Sequence, residues 1–326
     1  MGAPAAVSWW MLYRICIAAV LAWPAALGAQ VPARTVAVTI DDLPKTGGSD
    51  RLTAATYVTD RILDALRRHE APAVGFVTTS RAMVDGQIDA RVALLRRWVA
   101  AGVELGNHTY SHPPFHGTPL RRYLDDAVQG DRVPRALMAE RGDSLRYFRH
   151  PFNSTGPDSS SKAAFEAFAA ERGWTIAPFT VEHADYAFDR IYTHAVETHD
   201  RALQDSVADA YLEHLHTAFA FAEALSRETF GREIPQVLLI HASEINAAHL
   251  DAMLGALAKR GYAFITLEEA MHDPAYDAPD GYVGRWGWSW LHRWRLGLGL
   301  DAGVRESPDP PAWVLERYEV LLRATR

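Results

Sequence analysis

The stretch Thr35-Val36-Ala37-Val38-Thr39-Ile40-Asp41-Asp42 is an apolar run that ends in two acids, and it sets the pattern for the chain that follows. Six further short runs rich in Val, Ile, Phe and Thr come after it, each preceded by a candidate helix. Because these runs are largely apolar, they are typical of strands that are covered on both faces. The predicted strands span residues 36–40, 74–78, 103–106, 147–149, 175–181, 237–240 and 263–267. The predicted helices span residues 52–69, 90–101, 120–140, 161–172, 203–229 and 247–260.

This alternation predicts an α/β fold in which helices cover a sheet of parallel strands. An open doubly wound sheet and a (β/α) barrel both fit the pattern. No glycine-rich phosphate loop follows the first strand, which disfavours a nucleotide-binding protein. The sequence contains no internal repeat and no low-complexity linker, so one domain is the simplest arrangement.

The charge balance disfavours one class of partner. The chain of 326 residues carries 33 Lys and Arg against 40 Asp and Glu, a formal charge of -7. Nucleic-acid-binding proteins use basic surfaces to neutralise phosphates, so we expect no nucleic-acid partner. No feature of the sequence indicates an obligate protein partner.

Residues 1–29 have the layout of a secretory signal peptide. They contain no acid, one basic residue (Arg14), and an apolar run over 15–22 followed by Pro24 and small residues. This predicts an exported protein, periplasmic or secreted, and a retained membrane anchor is the alternative. Cys16, the one cysteine, lies inside this segment. The mature chain would therefore hold any metal with His and carboxylate ligands.

Polar side chains gather at the carboxyl ends of the predicted strands, and in parallel α/β folds these ends form the active-site face. The sequence therefore predicts one site built from several separate segments. In chain order these polar residues are Asp41-Asp42, Asn107-His108, Arg149, those at 182–185, and His241.

Asp41 and Asp42 cannot both face one site within a regular strand, because neighbouring side chains point to opposite faces. Turn-forming residues follow at once over 43–48, so the chain can bend here. One carboxylate could then bind a metal while the other acts as a base. A solvated pair of loop acids or a helix cap is the alternative.

The segment His108-Thr109-Tyr110-Ser111-His112 places two histidines four residues apart. On one helical turn they would face the same way and suit a single metal ion, and the prolines that follow would end that turn. Asp42 would complete a set of two His and one carboxylate. Such ligands favour zinc, and cobalt, nickel or iron would fit them too. A polar turn without metal is the alternative.

Arg149 and His241 each have two interpretations. The planar fork of Arg149 could orient a carboxylate such as Asp41, or it could belong to a structural ion pair. His241 follows the apolar run 237–240 and could be an acid-base group or a hydrogen-bonded core residue.

Taken together, these segments resemble the polysaccharide deacetylase family, whose catalytic domain is known as the NodB homology domain of carbohydrate esterase family 4. Its five motifs appear in order at 39–42, 108–112, 149–152, 182–186 and 238–241. The fourth departs from the pattern, because the family commonly has two Asp followed by Trp where this chain has Glu182, Asp185 and Tyr186. The resemblance covers about residues 35–271. It implies a distorted (β/α) barrel with seven or eight parallel strands.

The resemblance also implies a role for each motif residue. Asp41 would be the base, and Arg149 would steady it. Asp185 would orient His241, the general acid. The implied metal ligands are Asp42, His108 and His112. Substrate contacts are expected from Tyr110, Pro151, Phe152 and Tyr186.

Three regions are expected along the chain. After the signal peptide, a barrel domain over 30–272 would carry a helical insertion at about 190–232. A C-terminal extension, 273–326, is dense in tryptophan over 286–294. We expect these indoles to pack on the barrel; stacking on sugars or resting at a membrane surface are the alternatives.

The resulting hypothesis is a metal-dependent hydrolase that removes N-acetyl groups from a cell-wall or chitin-like glycan. A backbone N–H near Tyr110 or Ser111 is expected to help stabilise the tetrahedral oxyanion. One alternative is an amidohydrolase or esterase that acts on a small non-glycan acyl compound. The other is a non-catalytic carbohydrate-binding relative, which the complete set of ligands and acid-base residues disfavours.

Overall fold

One curved sheet of parallel strands organises the protein, whose computed structural model describes residues 1–2, 34–300 and 307–324. Within these residues the sheet has seven strands, and every pairing is parallel. The strands are β1 (Arg34–Leu43), β2 (Ala73–Val77), β3 (Glu104–Asn107), β4 (Tyr147–Phe148), β5 (Thr175–Ile176), β6 (Gln236–His241) and β7 (Tyr262–Phe264). The order across the sheet is β5-β4-β3-β2-β1-β6, and β7 pairs with the first residues of β1.

β1 pairs with three other strands, and its residues 36–43 are all buried. β6 pairs with it from Val36 to Asp41, and β2 pairs with its other edge from Val38 onward. Both edges are therefore hydrogen-bonded, and both faces are covered. This environment explains why the run is apolar almost without alternation.

The sheet curls until the chain beyond β5 meets β6. Val181 forms a parallel bridge with Leu238, and the N–H groups of Thr180 and Val181 donate to Val237 O at 2.9 and 3.0 Å. This closure excludes the open doubly wound sheet. The predicted distorted (β/α) barrel with seven or eight parallel strands in one domain is confirmed, although the predicted strand at 175–181 is regular only over Thr175–Ile176.

Helices cover the outside of the sheet. All six predicted helices are present, with ends that differ by at most three residues. Four helices were not predicted, namely α5, α8, α9 and α10. The helices are α1 (Leu52–Arg68), α2 (Ile88–Ala100), α3 (Leu120–Glu140), α4 (Ser159–Glu171), α5 (Asp185–Glu197), α6 (Arg201–Phe230), α7 (Glu244–Lys259), α8 (Leu267–Met271), α9 (Trp290–Gly297) and α10 (Ala312–Arg323).

α3 packs against the segment that follows β3 at Gly130. A Cβ atom at this position would lie 2.2 Å from the carbonyl carbon of Thr109, so only glycine allows the approach. Thr79 Oγ1 also donates to Gly130 O at 2.6 Å. A glycine inside a helix is normally unfavourable, and here it holds residues 108–112 close to the helix.

The four tryptophans within residues 286–294 fall into two groups. Trp290 and Trp294, on α9, are buried in the same apolar core as the barrel strands. Trp286 and Trp288 are 57% and 42% exposed. The expected packing on the barrel therefore holds for Trp290 and Trp294 and not for Trp286 and Trp288. The limits of the three regions expected along the chain stay predictions.

The predicted signal peptide, 1–29, lies outside the described residues apart from Met1 and Gly2, and export stays a prediction. In the ranges that the structure describes, no helix combines the length and apolar character needed to cross a bilayer.

Candidate active site

A bulge in β1 brings Asp41 and Asp42 to the same site. The register with β2 shifts between Ile40 and Leu43, and Asp42 has a left-handed φ of 68°. A bulge twists the strand and redirects its side chains, so both carboxylates can reach imidazoles of one cluster. The bend that was predicted for residues 43–48 thus occurs at Asp42, inside the strand.

The two histidines lie on a loop, so the predicted helical turn at 108–112 is wrong. β3 ends at Asn107, and the loop turns sharply through left-handed φ values of 69° at Thr109 and 60° at His112. Asn107 Oδ1 accepts the N–H of Thr109 at 2.8 Å and fixes the first bend. The bends nevertheless bring the rings of His108 and His112 to 5.0 Å between centroids.

Asp42, His108 and His112 form a cluster that fits a metal ion. One potential ligand atom of each lies within 4.8 Å of the others, and no second such group occurs in the described residues. His108 Nδ1 lies 2.8 Å from Arg149 O; because a carbonyl only accepts, Nδ1 carries the proton and Nε2 offers its lone pair. Burial lowers the pKa of His112 to about 4, which keeps this imidazole neutral, as a ligand must be.

The Asp42 carboxylate is held from outside the cluster. Thr78 Oγ1 donates to Asp42 Oδ1 at 2.7 Å, and Arg81 Nη2 lies 3.4 Å from Oδ2. Burial opposes the charge, but the Arg81 guanidinium and the neighbouring histidines hold the pKa of Asp42 well below its usual range. The carboxylate is therefore ionised and fixed in orientation.

Arg149 orients Asp41 from a fully buried position. Its Nη1 donates to Asp41 Oδ1 at 2.9 Å and to Thr39 Oγ1 at 2.7 Å, and Nη2 donates to Pro178 O at 2.8 Å. The other oxygen, Asp41 Oδ2, lies 3.7 Å from His108 Nε2. One residue thus positions two neighbours, since Arg149 O also receives the His108 hydrogen bond.

Arg149→Met is expected to lower the free energy of unfolding by about 3–5 kcal/mol, because it leaves Asp41 buried without its cation. Denaturant unfolding of the purified protein would measure the change. The control is Arg67→Met, which removes an exposed ion pair with Asp64 and should cost less than about 1 kcal/mol. Equal losses of unfolding free energy in the two variants would contradict the assignment of Arg149 as the cation that stabilises buried Asp41.

His241 and Asp185 form a charged pair at the end of β6. His241 Nδ1 lies 2.7 Å from Asp185 Oδ1, and the His241 N–H donates to Asp185 Oδ2 at 2.7 Å. Asn246 Nδ2 also donates to Oδ2, at 2.7 Å. Burial would lower the pKa of His241, but Asp185, with Asp41 and Asp42, raises it to about 10. At neutral pH this imidazole is therefore a cation with a proton to give.

The residues expected to contact substrate differ in exposure. Phe152 and Tyr186 are 43% and 53% exposed, Tyr110 is half-buried, and Pro151 is buried. Their roles stay predictions.

The expectation that the backbone N–H of Tyr110 or Ser111 helps to stabilise the oxyanion is wrong. The N–H groups of Tyr110 and Ser111 both donate to Asp126 Oδ1, at 2.8 and 2.9 Å. Since both donors are already satisfied within the protein, neither is available to a substrate oxygen.

Four residues that support the site were missed by sequence reasoning. Thr78 follows β2 at the same edge of the sheet, so the strand-end rule could have found it. Arg81 lies in a short 3₁₀ turn, Asp126 in α3 and Asn246 in α7. Nothing in their local sequence indicates the long-range contacts that they make.

Part of the chain, including most of the candidate site, matches a known protein family. Residues 28–168 match a family model described as polysaccharide deacetylase. This part of the chain is similar to the polysaccharide deacetylase family. The matched residues include Asp41, Asp42, both histidines of the cluster and Arg149, and they end before Asp185 and His241.

Two curated proteins similar to this chain are named chitooligosaccharide deacetylases. The protein of Sinorhizobium fredii is 30% identical over 120 residues, which are 37% of this chain and 52% of the relative. The protein of a Bradyrhizobium species is 27% identical over 145 residues, 44% of this chain and 58% of the relative. The chain thus spans about half the length of the curated relatives that it matches.

Solved structures resemble this chain in fold. A CE4-family pseudoenzyme from Bacillus anthracis has a TM-score of 0.51 at 17% identity, with 74% of this chain and 67% of that chain covered. A mutant of that pseudoenzyme with restored enzymatic activity has a TM-score of 0.50 at 19% identity, with 74% and 70% covered. These likenesses show the barrel architecture alone.

Proposed function

We propose that the protein is an exported, metal-dependent deacetylase that hydrolyses N-acetyl groups of a cell-wall or chitin-like glycan. The observation that carries this proposal is the grouping of a candidate metal cluster, a second carboxylate held by a buried arginine, and a protonated histidine. A hydrolase of amide bonds needs a base for water and an acid for the leaving nitrogen. Asp41 and His241 supply this pair of groups.

Asp42, His108 and His112 would hold the metal, and zinc is the expected ion because two imidazoles and one carboxylate are common zinc ligands. Cobalt or nickel would suit the same donors. When bound, a divalent ion lowers the pKa of a coordinated water and polarises the acetyl carbonyl. The neutral imidazole of His112 and the ionised carboxylate of Asp42 are protonation states that such an ion requires.

Asp41 would act as the base. Arg149 engages one carboxylate oxygen, so the other can accept a proton from water as the water oxygen attacks the acetyl carbon. The guanidinium stabilises the ionised carboxylate and prevents it from rotating. Arg149 is therefore a positioning residue in this mechanism.

His241 would act as the general acid. Its Nδ1 is bonded to Asp185, so Nε2 carries the proton that can pass to the leaving sugar nitrogen. The carbon–nitrogen bond breaks as the nitrogen takes this proton, and the products are acetate and a free amine. Asp185 keeps the imidazole protonated and fixes the orientation of its ring, as a carboxylate does in other acid-base pairs.

The two relatives named chitooligosaccharide deacetylases support an N-acetylated glycan as the substrate class, and the predicted signal peptide supports a substrate outside the cytoplasm. Tyr186 stands where the family commonly has tryptophan and is an exposed ring beside Asp185. This difference concerns how the substrate is held and leaves the acid-base chemistry unchanged.

The test is acetate release by the purified, zinc- or cobalt-loaded protein from chitooligosaccharides, peptidoglycan fragments and acetyl xylan. Release from an N-acetylated glycan is the expected result. Turnover restricted to small acyl esters or amides would favour the non-glycan hydrolase instead. Glycan binding with bound metal and no turnover on any substrate would overturn the proposal in favour of a non-catalytic relative.

A further inference from the structure

An exposed aromatic ring lies directly beside the candidate metal cluster. The ring of Phe152 is 4.7 Å from the ring of His112, centroid to centroid, in an edge-on arrangement. Phe152 is 43% exposed and has a left-handed φ of 57°, an unusual conformation for a bulky residue. Its backbone therefore needs support from the surrounding structure.

That support comes from the C-terminal extension. The N–H of Gly287 donates to Phe152 O at 3.1 Å, and Arg293 Nη2 donates to Asn153 O at 2.7 Å. A Cβ atom on Gly287 would lie 2.0 Å from Asn153 Cβ, so glycine is required for this contact. The extension is thus fitted closely to the loop that carries Phe152.

The same contact presents Trp286 next to Phe152. Their ring centroids are 5.8 Å apart in a T-shaped arrangement, and 57% of Trp286 is exposed. The Arg285 guanidinium lies 5.1 Å from the indole centroid, over the ring. A ligand that stacks on this indole would therefore use the opposite face.

The segment around Trp286 is anchored by buried groups. Arg293 is 1% exposed and its Nε donates to Trp288 O at 2.9 Å, while Trp290 packs edge-on against Phe179 at 5.5 Å. Burying these groups fixes the backbone from Gly287 to α9. The two exposed rings are therefore held in place beside the cluster before any ligand binds, which lowers the entropy cost of binding.

We propose that Trp286, supported edge-on by Phe152, forms an aromatic platform whose exposed indole face stacks against a pyranose ring of the glycan, adjacent to the sugar that is deacetylated. Aromatic rings offer large, rigid apolar surfaces, which suit the C–H face of a pyranose. Phe152 lies against His112, and its ring stands at 78° to the indole, so it supports Trp286 one ring further from the cluster. The proposal rests on the proposed function for the identity of the ligand.

Trp286→Ala tests the platform in the full-length, metal-loaded protein. Loss of the stacking surface should weaken binding of N-acetylated chitotetraose about tenfold, measured by calorimetry in the Asp41→Asn background so that the probe is not consumed. In the active background, KM for the tetramer should rise more than kcat falls, and the preference for the tetramer over the dimer should shrink. Trp286→Phe keeps a ring and should recover part of the affinity.

Trp288→Ala is the matched control, because Trp288 is similarly exposed but stacks on Tyr282 at 5.7 Å. This variant should bind the tetramer like the wild type. Equal affinity in Trp286→Ala and Trp288→Ala, both folded by circular dichroism, would overturn the platform even if the protein releases acetate. Tetramer binding that is lost only in Trp286→Ala would support the platform even if no acetate were released, so the two proposals fail separately.

Discussion

Asp42→Ala is expected to abolish metal binding and acetate release together. Asp42 supplies one of three ligand atoms that lie within 4.8 Å of one another, and it is the anionic member of the set. Changes to groups that only support a ligand already cost roughly 10- to 100-fold in affinity, so loss of the carboxylate itself should cost more than about 100-fold. Zinc calorimetry and metal analysis after gel filtration would measure the loss.

A graded series makes this prediction specific. Thr78→Val removes the 2.7 Å hydrogen bond to Asp42 Oδ1 but keeps the carboxylate, so its zinc affinity should fall by roughly 10- to 100-fold. His116→Ala, an exposed histidine four positions beyond His112, should bind zinc like the wild type. Zinc should also raise the melting temperature of the wild type and of His116→Ala. If Asp42→Ala bound one zinc ion per chain and kept full activity, the assignment of Asp42 as a metal ligand would be refuted.

The fold follows from sequence where local and global signals agree. Strands of a parallel sheet are apolar on both faces, so residues 36–40 indicate β1, and α3 was predicted at the limits that it has, Leu120–Glu140. The helices that were missed include α8 and α9, of five and eight residues. Short helices depend on tertiary packing more than on their own sequence, and α9 is stabilised by burying Trp290 and Trp294 in the core.

The sequence predicted which residues come together at the candidate site, but it did not predict the backbone geometry that brings them together. Asp41, His108, Arg149 and His241 each lie at the carboxyl end of a strand, and parallel strands bring these ends to one face. The bulge at Asp42 and the bent loop at 108–112 depend on contacts with distant residues, such as the fit of Gly130 against Thr109. No local pattern encodes such contacts. The predicted helical turn was therefore wrong, although the rings of His108 and His112 do lie 5.0 Å apart.

The satisfied N–H groups of Tyr110 and Ser111 show the same limit. A loop beside a metal cluster is a reasonable place to expect an oxyanion donor. Asp126 comes from the middle of α3, and it accepts both N–H groups. Only the packing of α3 on this loop reveals that the donors are used within the protein.

Asp185→Asn is expected to move the alkaline limb of kcat/KM to lower pH and to reduce kcat by roughly 100- to 10,000-fold. His241 must be protonated to donate, so activity falls as pH rises through its pKa. Asp185 is the strongest influence that raises this pKa to about 10, and the neutral amide no longer stabilises the imidazolium. A bound divalent ion lowers the pKa of His241 in both proteins, so the difference between their profiles reports on Asp185.

The same pair makes folding depend on pH in a definite direction. The folded protein binds the His241 proton more tightly than the unfolded chain, whose histidine has a pKa near 6.5. This stabilisation is complete below about pH 6.5 and is lost as pH rises through about 10. Urea unfolding of the metal-free wild type should show this loss, and Asp185→Asn should not.

Asn246→Ala is the control for the kinetic prediction. It removes one hydrogen bond to Asp185 but keeps the charge of that carboxylate, so its pH profile of kcat/KM should stay close to that of the wild type. If Asp185→Asn and Asn246→Ala shift the alkaline limb equally, hydrogen bonding rather than the carboxylate charge sets the pKa of His241.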